Sequence, residues 1–467
     1  MIINQLSQYL INLNYEDIPE EAIQKAKLCF MDYLAVYFRG LESENAKIAI
    51  KTIYELCHGD FNSLNKGFIN GIASHSLDLD DGHRFAQLHP GAIVFSTILA
   101  LATDKNLDLD ITTEEFFESV IVGYEVAIAL GMLSNPDHRN QGFHSTGTIG
   151  SIASGAVASK LLKLDLDKTE HCLGLCATQS SGLLEADHAG TMGKSLHVGN
   201  AVYNGILSAF LAKNGFTGGE SLIDGDEGFI KAMASDLYDR HCDDKGNFDV
   251  SKLSQFIDMN LNRFHISNVY LKKYPFCRHI HSAIDSTLSL KEELNKSICS
   301  FENIGSIDIE TYRIASEHDN FNPKNVQDLK QSLPYAVAIS LVLDDLSLDS
   351  IDELIDNGLF DDENNDDNVL RIRRLANKIN VYDNDELNQL TPEKRPSKVM
   401  VKFDDISYEN LEKTTYYPLG EVENPLGEED ILEKFRLLNP KLNMNKLQII
   451  KHMEDYSIDE VFNELDL

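Results

Sequence analysis

The sequence predicts a mainly α-helical protein with one large all-α helical domain and a smaller α+β domain inserted into it. Apolar residues recur at three- and four-residue spacing from Tyr15 to Asn214, with short Gly, Asn, Asp or Pro breaks. Near residue 265 the pattern changes to alternating, β-branched and aromatic residues, and after Glu428 it returns to the helical period. We therefore predict a helical domain over residues 1–267 plus 420–467 and an α+β domain over residues 268–419.

Two segments of the helical domain show their helices clearly. Ile18-Pro19-Glu20-Glu21 has the Pro and the acidic residues that favour a helix start. The segment from Ser145 to Leu162 carries Gly147, Gly150 and Gly155 and no charge before Lys160. Because such small residues let helices approach closely, this helix is predicted to lie in the middle of a tightly packed bundle.

The inserted domain is predicted to mix strands and helices. Alternation and β-branched residues indicate strands at Gly305–Ile314, Lys398–Phe403 and Tyr408–Tyr417. The helical period returns at Asp328–Leu343 and Ile351–Ile379.

The charge of the chain limits its partners. Its 75 Asp and Glu residues against 41 Lys and Arg give a formal net charge of -34. Such a surface repels polyanions, so we expect no nucleic-acid partner and no anionic membrane partner. Since cationic side chains are scarce, a local cluster of Lys, Arg and His is the most informative feature for an anionic ligand.

Cysteine usage and the chain start predict a cytoplasmic protein. Seven cysteines, an odd number without paired spacings, indicate reduced thiols rather than a disulfide framework. Met1 to Leu13 lacks the basic start and apolar core of a signal peptide, and runs such as Gly91–Thr103 are shorter than the roughly 20 residues of a membrane span. We expect no export signal and no membrane span.

The first motif with chemical potential is GIASHSLDLDDGHRFAQLHP, Gly71 to Pro90. A helix continuing to Asp81 would place His75 and Asp78 on one face, with Gly82 as the helix stop. His83, Arg84 and His89 follow within twelve residues of Asp78. An EF-hand does not fit, because His83 stands where the loop requires Gly. Two alternatives stay open: a transition-metal site from Asp78, Asp81, His83 and His89, and a structural polar turn.

The second motif is GFHSTG, Gly142 to Gly147, which precedes the helix of small residues. Ser145 and Thr146 are predicted to cap that helix, whose free N–H groups would favour a substrate carboxylate. His144 would then stand beside the bound anion. The alternative is an ordinary capped helix preceded by a surface histidine.

The third motif is GKSLHVGN, Gly193 to Asn200. Lys194 and His197 lie one helical turn apart, and at least one is predicted to point into the interior. A buried Lys requires a charged partner, and a substrate carboxylate would be one. A phosphate-binding loop does not fit, because His188 stands where that loop has its first Gly.

The fourth motif is KKYPFCRHIH, Lys272 to His281. Two Lys, one Arg and two His in ten residues are exceptional in so acidic a chain, and Pro275 prevents an uninterrupted helix. An extended conformation would separate Arg278 from His279 and His281. The alternative is a basic surface turn.

Together these motifs resemble the MmgE/PrpD family. The likeness also covers DIPEEAIQKAKLCFMDYL at Asp17, GFTGGESLIDGDEGF at Gly215, SLPYAVA at Ser332 and ENPLG at Glu423. The resemblance implies a helical domain with an inserted α+β lid domain, a homodimer, and no metal or organic cofactor. Activities of the family include 2-methylcitrate dehydration, cis-aconitate decarboxylation and iminodisuccinate epimerisation.

The resemblance also implies a set of site residues. Carried over by motif, the family's pocket comprises Asp78, His89, His144, Lys194, Lys272 and the group of Cys277, Arg278 and His281. The cationic groups His83 and Arg84 are added as substrate ligands. Two departures matter. Gly82 replaces the Thr that follows the paired acids in some members, and the CRHIH element differs from the form associated with decarboxylases, which argues against decarboxylation.

These activities share one chemical problem, the stabilisation of carbanionic charge next to a carboxylate without a metal. We expect Lys194, Lys272 and Arg278 to hold substrate carboxylates. His89 or His144 would abstract the proton while the other imidazole acts as the acid, with Asp78 orienting a His. The predicted function is a 2-methylcitrate dehydratase-like lyase acting on a small polycarboxylate. Alternatives are an epimerase, a decarboxylase, a carboxylate-binding protein of the same fold, and a dimeric structural protein.

Overall fold

The chain forms two compact units in the computed structural model, which describes residues 1–107, 109–242, 248–296, 301–361, 363–405 and 407–467, apart from the side chains of residues 188 and 301. The first unit comprises residues 1–186, 192–271 and 427–467. The second comprises residues 187–191 and 272–426.

Helices dominate the structure, as predicted. In chain order they are α1 Ile2–Asn12, α2 Glu20–Leu41, α3 Glu44–Cys57, α4 Ser63–His75, α5 Pro90–Ala102, α6 Thr113–Ser134, α7 Asp137–Asn140, α8 Ser145–Leu161, α9 Leu166–Thr178, α10 Glu185–His188, α11 Gly193–Lys213, α12 Phe229–Met233, α13 Ser235–Arg240, α14 Val250–Asn260, α15 His281–Lys296, α16 Arg313–Ser316, α17 Val326–Lys330, α18 Leu333–Val342, α19 Leu348–Asp356, α20 Asp367–Ala376, α21 Asp385–Asn388, α22 Glu428–Leu438, α23 Gln448–Lys451 and α24 Ile458–Glu464.

Six strands form two small sheets in the described residues. They are β1 Gly82–His83, β2 Val269–Tyr270, β3 Ile304–Thr311, β4 Ile379–Asp383, β5 Ser397–Phe403 and β6 Leu411–Thr415. β1 pairs with β2 antiparallel, and the larger sheet has the order β4-β3-β5-β6 with β3 and β4 parallel. The mainly α fold class is confirmed. One prediction was wrong in detail: the segment predicted as helical to residue 379 contains two helices and then enters β4.

α8 lies at the centre of the first unit, as its small residues predict. It packs against α5, α6, α9 and α11. A Cβ atom at Gly155 would clash with the Sγ atom of Cys176, and one at Gly150 would clash with the side chain of Ile93. These glycines therefore bring the helix axes close together and hold the N-terminal end of α8 in a fixed position.

α6, Thr113–Ser134, is long and apolar enough to cross a membrane by length and composition, although the sequence analysis identified no span. In the structure 89 % of its apolar window is buried inside the protein. It packs against α5 and α8. A core helix of a large unit has the same composition, because it is surrounded by apolar neighbours on all sides.

Candidate active site

The first site segment leaves its helix earlier than predicted. α4 ends at His75, not at Asp81, so Gly82 is not a helix stop. Residues 76–81 form turns, with Asp78 in the left-handed region at φ 56°. Gly82 lies in β1, where a Cβ atom would clash with the Tyr270 hydroxyl of β2. The helix prediction failed because tertiary contacts fix this turn: the Lys434 ammonium donates to the Leu79 carbonyl at 2.8 Å.

Three helices begin at one place in the first unit. His89 is the residue before α5, His144 precedes α8, and Lys194 lies in the first turn of α11. The His89 N–H donates to the Thr146 hydroxyl at 3.3 Å, which joins the starts of α5 and α8. Since the N-terminal end of a helix carries partial positive charge, this arrangement favours an anion.

The predicted caps of α8 were wrong. The N-cap residue is His144, and it gives no side-chain capping hydrogen bond. Ser145 instead accepts a hydrogen bond from the Asn135 amide at 3.1 Å, and Thr146 accepts from His89. Both hydroxyls thus fix neighbouring segments of the site.

Asp80 links two histidines beside the start of α5. Its Oδ2 atom lies 2.7 Å from Nδ1 of His75 and 3.4 Å from Nδ1 of His89. The side chains of His75 and Asp80 are 0 % and 3 % exposed, whereas that of His89 is 13 % exposed. Nδ1 of His89 also lies 2.6 Å from the Asp81 carbonyl oxygen. Because a carbonyl only accepts, Nδ1 of His89 carries a hydrogen and Nε2 has the lone pair in the neutral ring.

The imidazole cluster continues from His75 to α8 and α11. Its ring centroid lies 4.9 Å from that of His89 and 5.8 Å from that of His144. Nδ1 of His144 and Nδ1 of His197 are 3.1 Å apart, so one donates to the other. Burial lowers the pKa of His144 well below its usual range, and the charges of His75, His197 and Lys194 add to that effect. His144 is therefore neutral near pH 7.

Lys194 has a partner within the protein. Its Nζ atom lies 3.1 Å from Oδ2 of Asp78, with side-chain exposures of 16 % and 4 %. Asp78 thus supplies a counter-charge within the protein, and contact of Lys194 with a substrate carboxylate stays a prediction. Lys194 is close to the imidazole cluster, because its charge helps to lower the pKa of His144.

Asp81 holds the start of α5. It accepts from the Gly91 N–H at 2.9 Å and from the Tyr124 hydroxyl at 2.6 Å. Burial raises the pKa of Asp81 to about 7, although both hydrogen bonds oppose the shift. Its two oxygens are thus engaged in positioning the helix that follows His89.

His83 and Arg84 are anchored within their own loop. Nδ1 of His83 accepts from the Ala86 N–H at 3.1 Å, and the ring is buried. The Arg84 guanidinium lies 5.2 Å from the ring centre of Phe85. Their role in substrate binding stays a prediction.

The fourth motif lies in the second unit and is not extended. Arg278 to Ile280 form a short 3-10 helix, so Nη1 of Arg278 lies 3.0 Å from Nδ1 of His281 instead of on the opposite side. Arg278 also donates to the Leu419 carbonyl at 2.8 Å and pairs with Glu421 at 3.2 Å. Lys272, Arg278 and His281 are buried. Direct contact of these three with a substrate stays a prediction.

The ligand atoms of His75, Asp80 and His89 lie within 4.8 Å of one another, close enough to raise the question of a metal. However, both histidines turn Nδ1 to Asp80, and the hydrogen on Nδ1 of His89 excludes a lone pair there. A metal ligand nitrogen must offer a lone pair. We therefore interpret this group as a hydrogen-bonded acid–base set. Two members of the alternative metal set, Asp81 and His83, have the structural roles described above.

Comparison with known proteins covers both units. The profile of the MmgE/PrpD N-terminal domain matches residues 4–239, and that of the MmgE/PrpD C-terminal domain matches residues 274–455. A cis-aconitate decarboxylase of Aspergillus terreus is 25 % identical over 94 % of this chain and 89 % of its own length. The human cis-aconitate decarboxylase is 24 % identical over 94 % of this chain and 89 % of its own length. A cis-aconitate decarboxylase-like protein of Aspergillus oryzae is 28 % identical over 49 % of this chain and 50 % of its own length. The chain belongs to the MmgE/PrpD family.

Proposed function

We propose that this protein is a cofactor-independent lyase that acts on a small di- or tricarboxylate by transferring a proton at the carbon next to a carboxylate. The observation that carries the proposal is the meeting of four imidazoles, the Asp78–Lys194 pair and three helix starts in the first unit. Imidazoles supply proton transfer near neutral pH, and the helix starts and Lys194 favour negative charge.

The geometry supports distinct roles for the two predicted histidines. His89 is the base, because its Nδ1 hydrogen is held by the Asp81 carbonyl and leaves Nε2 to take the proton. His144 is kept neutral by its surroundings, so it returns a proton readily once it has received one. Lys194 neutralises charge that develops on the substrate carboxylate. Lys272 and Arg278 remain the residues predicted to bind further carboxylates.

Dehydration of a 2-methylcitrate-like acid is the net reaction we propose first. His89 takes the α-proton and becomes an imidazolium, which leaves carbanionic charge on the substrate. The same proton then passes from this imidazolium to the leaving hydroxyl, directly or through His144, so that water departs and His89 is neutral again. The carbon–hydrogen and carbon–oxygen bonds break and a double bond forms. No metal or organic cofactor takes part in these steps.

Decarboxylation is a second candidate, because two relatives whose match extends over 94 % of this chain are named cis-aconitate decarboxylases. Loss of carbon dioxide leaves the same carbanionic charge, which an imidazole then protonates. The departure of the CRHIH element argues against this reaction.

The test is proton NMR in deuterated water with citrate, methylcitrate, the aconitate isomers and iminodisuccinate. We expect one acid to exchange its α-hydrogen or to give a product that carries solvent deuterium. His89→Gln should abolish exchange, because Gln keeps a hydrogen bond but cannot cycle a proton. His452→Gln, an exposed position away from the cluster, is the matched control. Undiminished exchange in the His89→Gln, His144→Gln and double variants would exclude both histidines.

The homodimer and the cytoplasmic location are part of the same proposal. Light scattering after gel filtration would test the first, since a mass near twice 52.4 kDa is expected. A mass of one chain at all concentrations would contradict it.

A further inference from the structure

We propose that His75 and Asp80 form a positioning pair for His89, in which His75 donates to the Asp80 carboxylate and fixes it, and the charge of that carboxylate stabilises the imidazolium form of His89. This inference rests on the proposed function, because it assigns the source of the base's strength. Neither residue belongs to the site set carried over from the family motifs.

Two distances define how the pair acts on His89. Oδ2 of Asp80 is the atom that faces Nδ1 of His75 and Nδ1 of His89. The shorter distance, 2.7 Å, belongs to His75, so this ring is the one that fixes the carboxylate. At 3.4 Å, His89 is close enough to gain from the negative charge when it becomes an imidazolium.

Burial separates positioning from contact with substrate. The His75 side chain is 0 % exposed, and its Nε2 atom has no hydrogen-bond partner among the described residues. A ring without solvent exposure does not touch a diffusing acid. The His75 ring also lies near both other rings, with centroids 4.9 Å from His89 and 5.8 Å from His144, so it helps to position both.

The charged and titratable groups around His89 come from several elements. His75 comes from the end of α4, Asp78, Asp80 and Asp81 from the following turn, Tyr124 from α6 through Asp81, His144 from the start of α8, and Lys194 and His197 from α11. Asp32 of α2 acts on Asp80 and Asp81, and its charge is offset by Lys434 of α22. Asp78 is offset by Lys194, and Asp81 accepts two hydrogen bonds elsewhere. Asp80 is therefore the carboxylate placed to stabilise a positive charge on His89.

The first experiment needs no substrate. The reaction of His89 with diethyl pyrocarbonate, followed by mass spectrometry of its peptide across pH, reports the fraction of neutral imidazole. Asp80→Asn keeps the shape and removes the charge, so we expect the pKa of His89 to fall by about 1 unit or more. Asp104→Asn, another buried carboxyl at the start of α4, is the control and should leave the profile unchanged.

The second experiment uses the exchange reaction. Asp80→Asn should lower kcat about tenfold or more, shift its acidic limb to lower pH and leave KM within about twofold. In a His89→Gln background the same change should add nothing, because the pair acts through His89. His75→Asn retains an N–H donor toward Asp80 and should keep the profile, whereas His75→Ala should lose it.

The outcomes separate this proposal from the proposed function. An unchanged His89 profile in folded Asp80→Asn overturns the positioning pair whether or not any acid is converted. A loss of activity in Asp80→Asn that adds fully to the loss in His89→Gln also overturns it, since it indicates a structural role. A shifted profile in a protein that converts none of the acids keeps the pair and refutes the proposed function alone.

Discussion

The Asp78–Lys194 pair predicts a specific pattern of stability and activity. At 3.1 Å, two unit charges attract by about 5 kcal/mol at an effective dielectric constant near 20. Desolvation offsets part of this attraction, but both side chains are largely buried, so removing one partner leaves the other uncompensated. We expect Lys194→Met to lower the free energy of unfolding by about 3 kcal/mol.

The matching substitution on the other side of the pair, Asp78→Asn, leaves the backbone conformation unchanged. Asp78 has φ 56°, and Asn tolerates this left-handed conformation as well as Asp does, so Asp78→Asn tests charge and not strain. It should also destabilise, whereas the double variant should recover most of the stability and none of the activity. Urea unfolding and deuterium exchange measure the two effects. A coupling energy below about 0.5 kcal/mol, or an active double variant, would refute the reasoning.

Three further predictions concern burial, packing and metals. Burial raises the pKa of Glu125 from 4.5 to about 8, so native stability is full below the lower value and is lost as pH rises through the higher one, by on the order of 5 kcal/mol. Glu125→Gln should flatten this loss when urea midpoints are compared across that window. Gly155→Ala should cost about 1 to 3 kcal/mol through the clash with Cys176, while Gly219→Ala, whose nearest contact would be 3.4 Å, should cost less. Activity should survive dialysis against a chelator; loss with recovery on one divalent metal would make His75, Asp80 and His89 ligands.

The sequence predicted features that depend on local composition. The helix from residue 145 and its central position were predicted from its many Gly and Ala residues. Such small residues are favoured inside a helix where another helix packs closely against it. β4 was missed although Ile379, Val381 and Tyr382 favour a strand, because it has only five residues, only Ile379 is fully buried, and its pairing with β3 connects segments about 70 residues apart.

In the site, too, locally encoded features were predicted and those that depend on distant contacts were missed. The motifs at residues 71–90, 142–147 and 193–200 were recognised separately, and the structure brings them to one cluster. Asp80 was missed because a helix to residue 81 would turn it away from His75. The real end of α4 depends on contacts such as Lys434 with Leu79, which are 355 residues apart and have no local signature. The LDLDD segment shows three neighbouring acids, which marks it as a candidate for a functional carboxylate. Their spacing alone does not identify Asp80 as the one that faces His75.

The meeting of three helix starts divides recognition from chemistry. Backbone amides do not titrate, and exchanging a side chain does not remove them. Attraction for a carboxylate should therefore persist across the pH range in which the imidazoles change charge, and it should persist in variants that convert nothing. A protein that binds a carboxylate at helix starts can change which acid it converts by replacing the side chains around them, because the backbone amides stay in place.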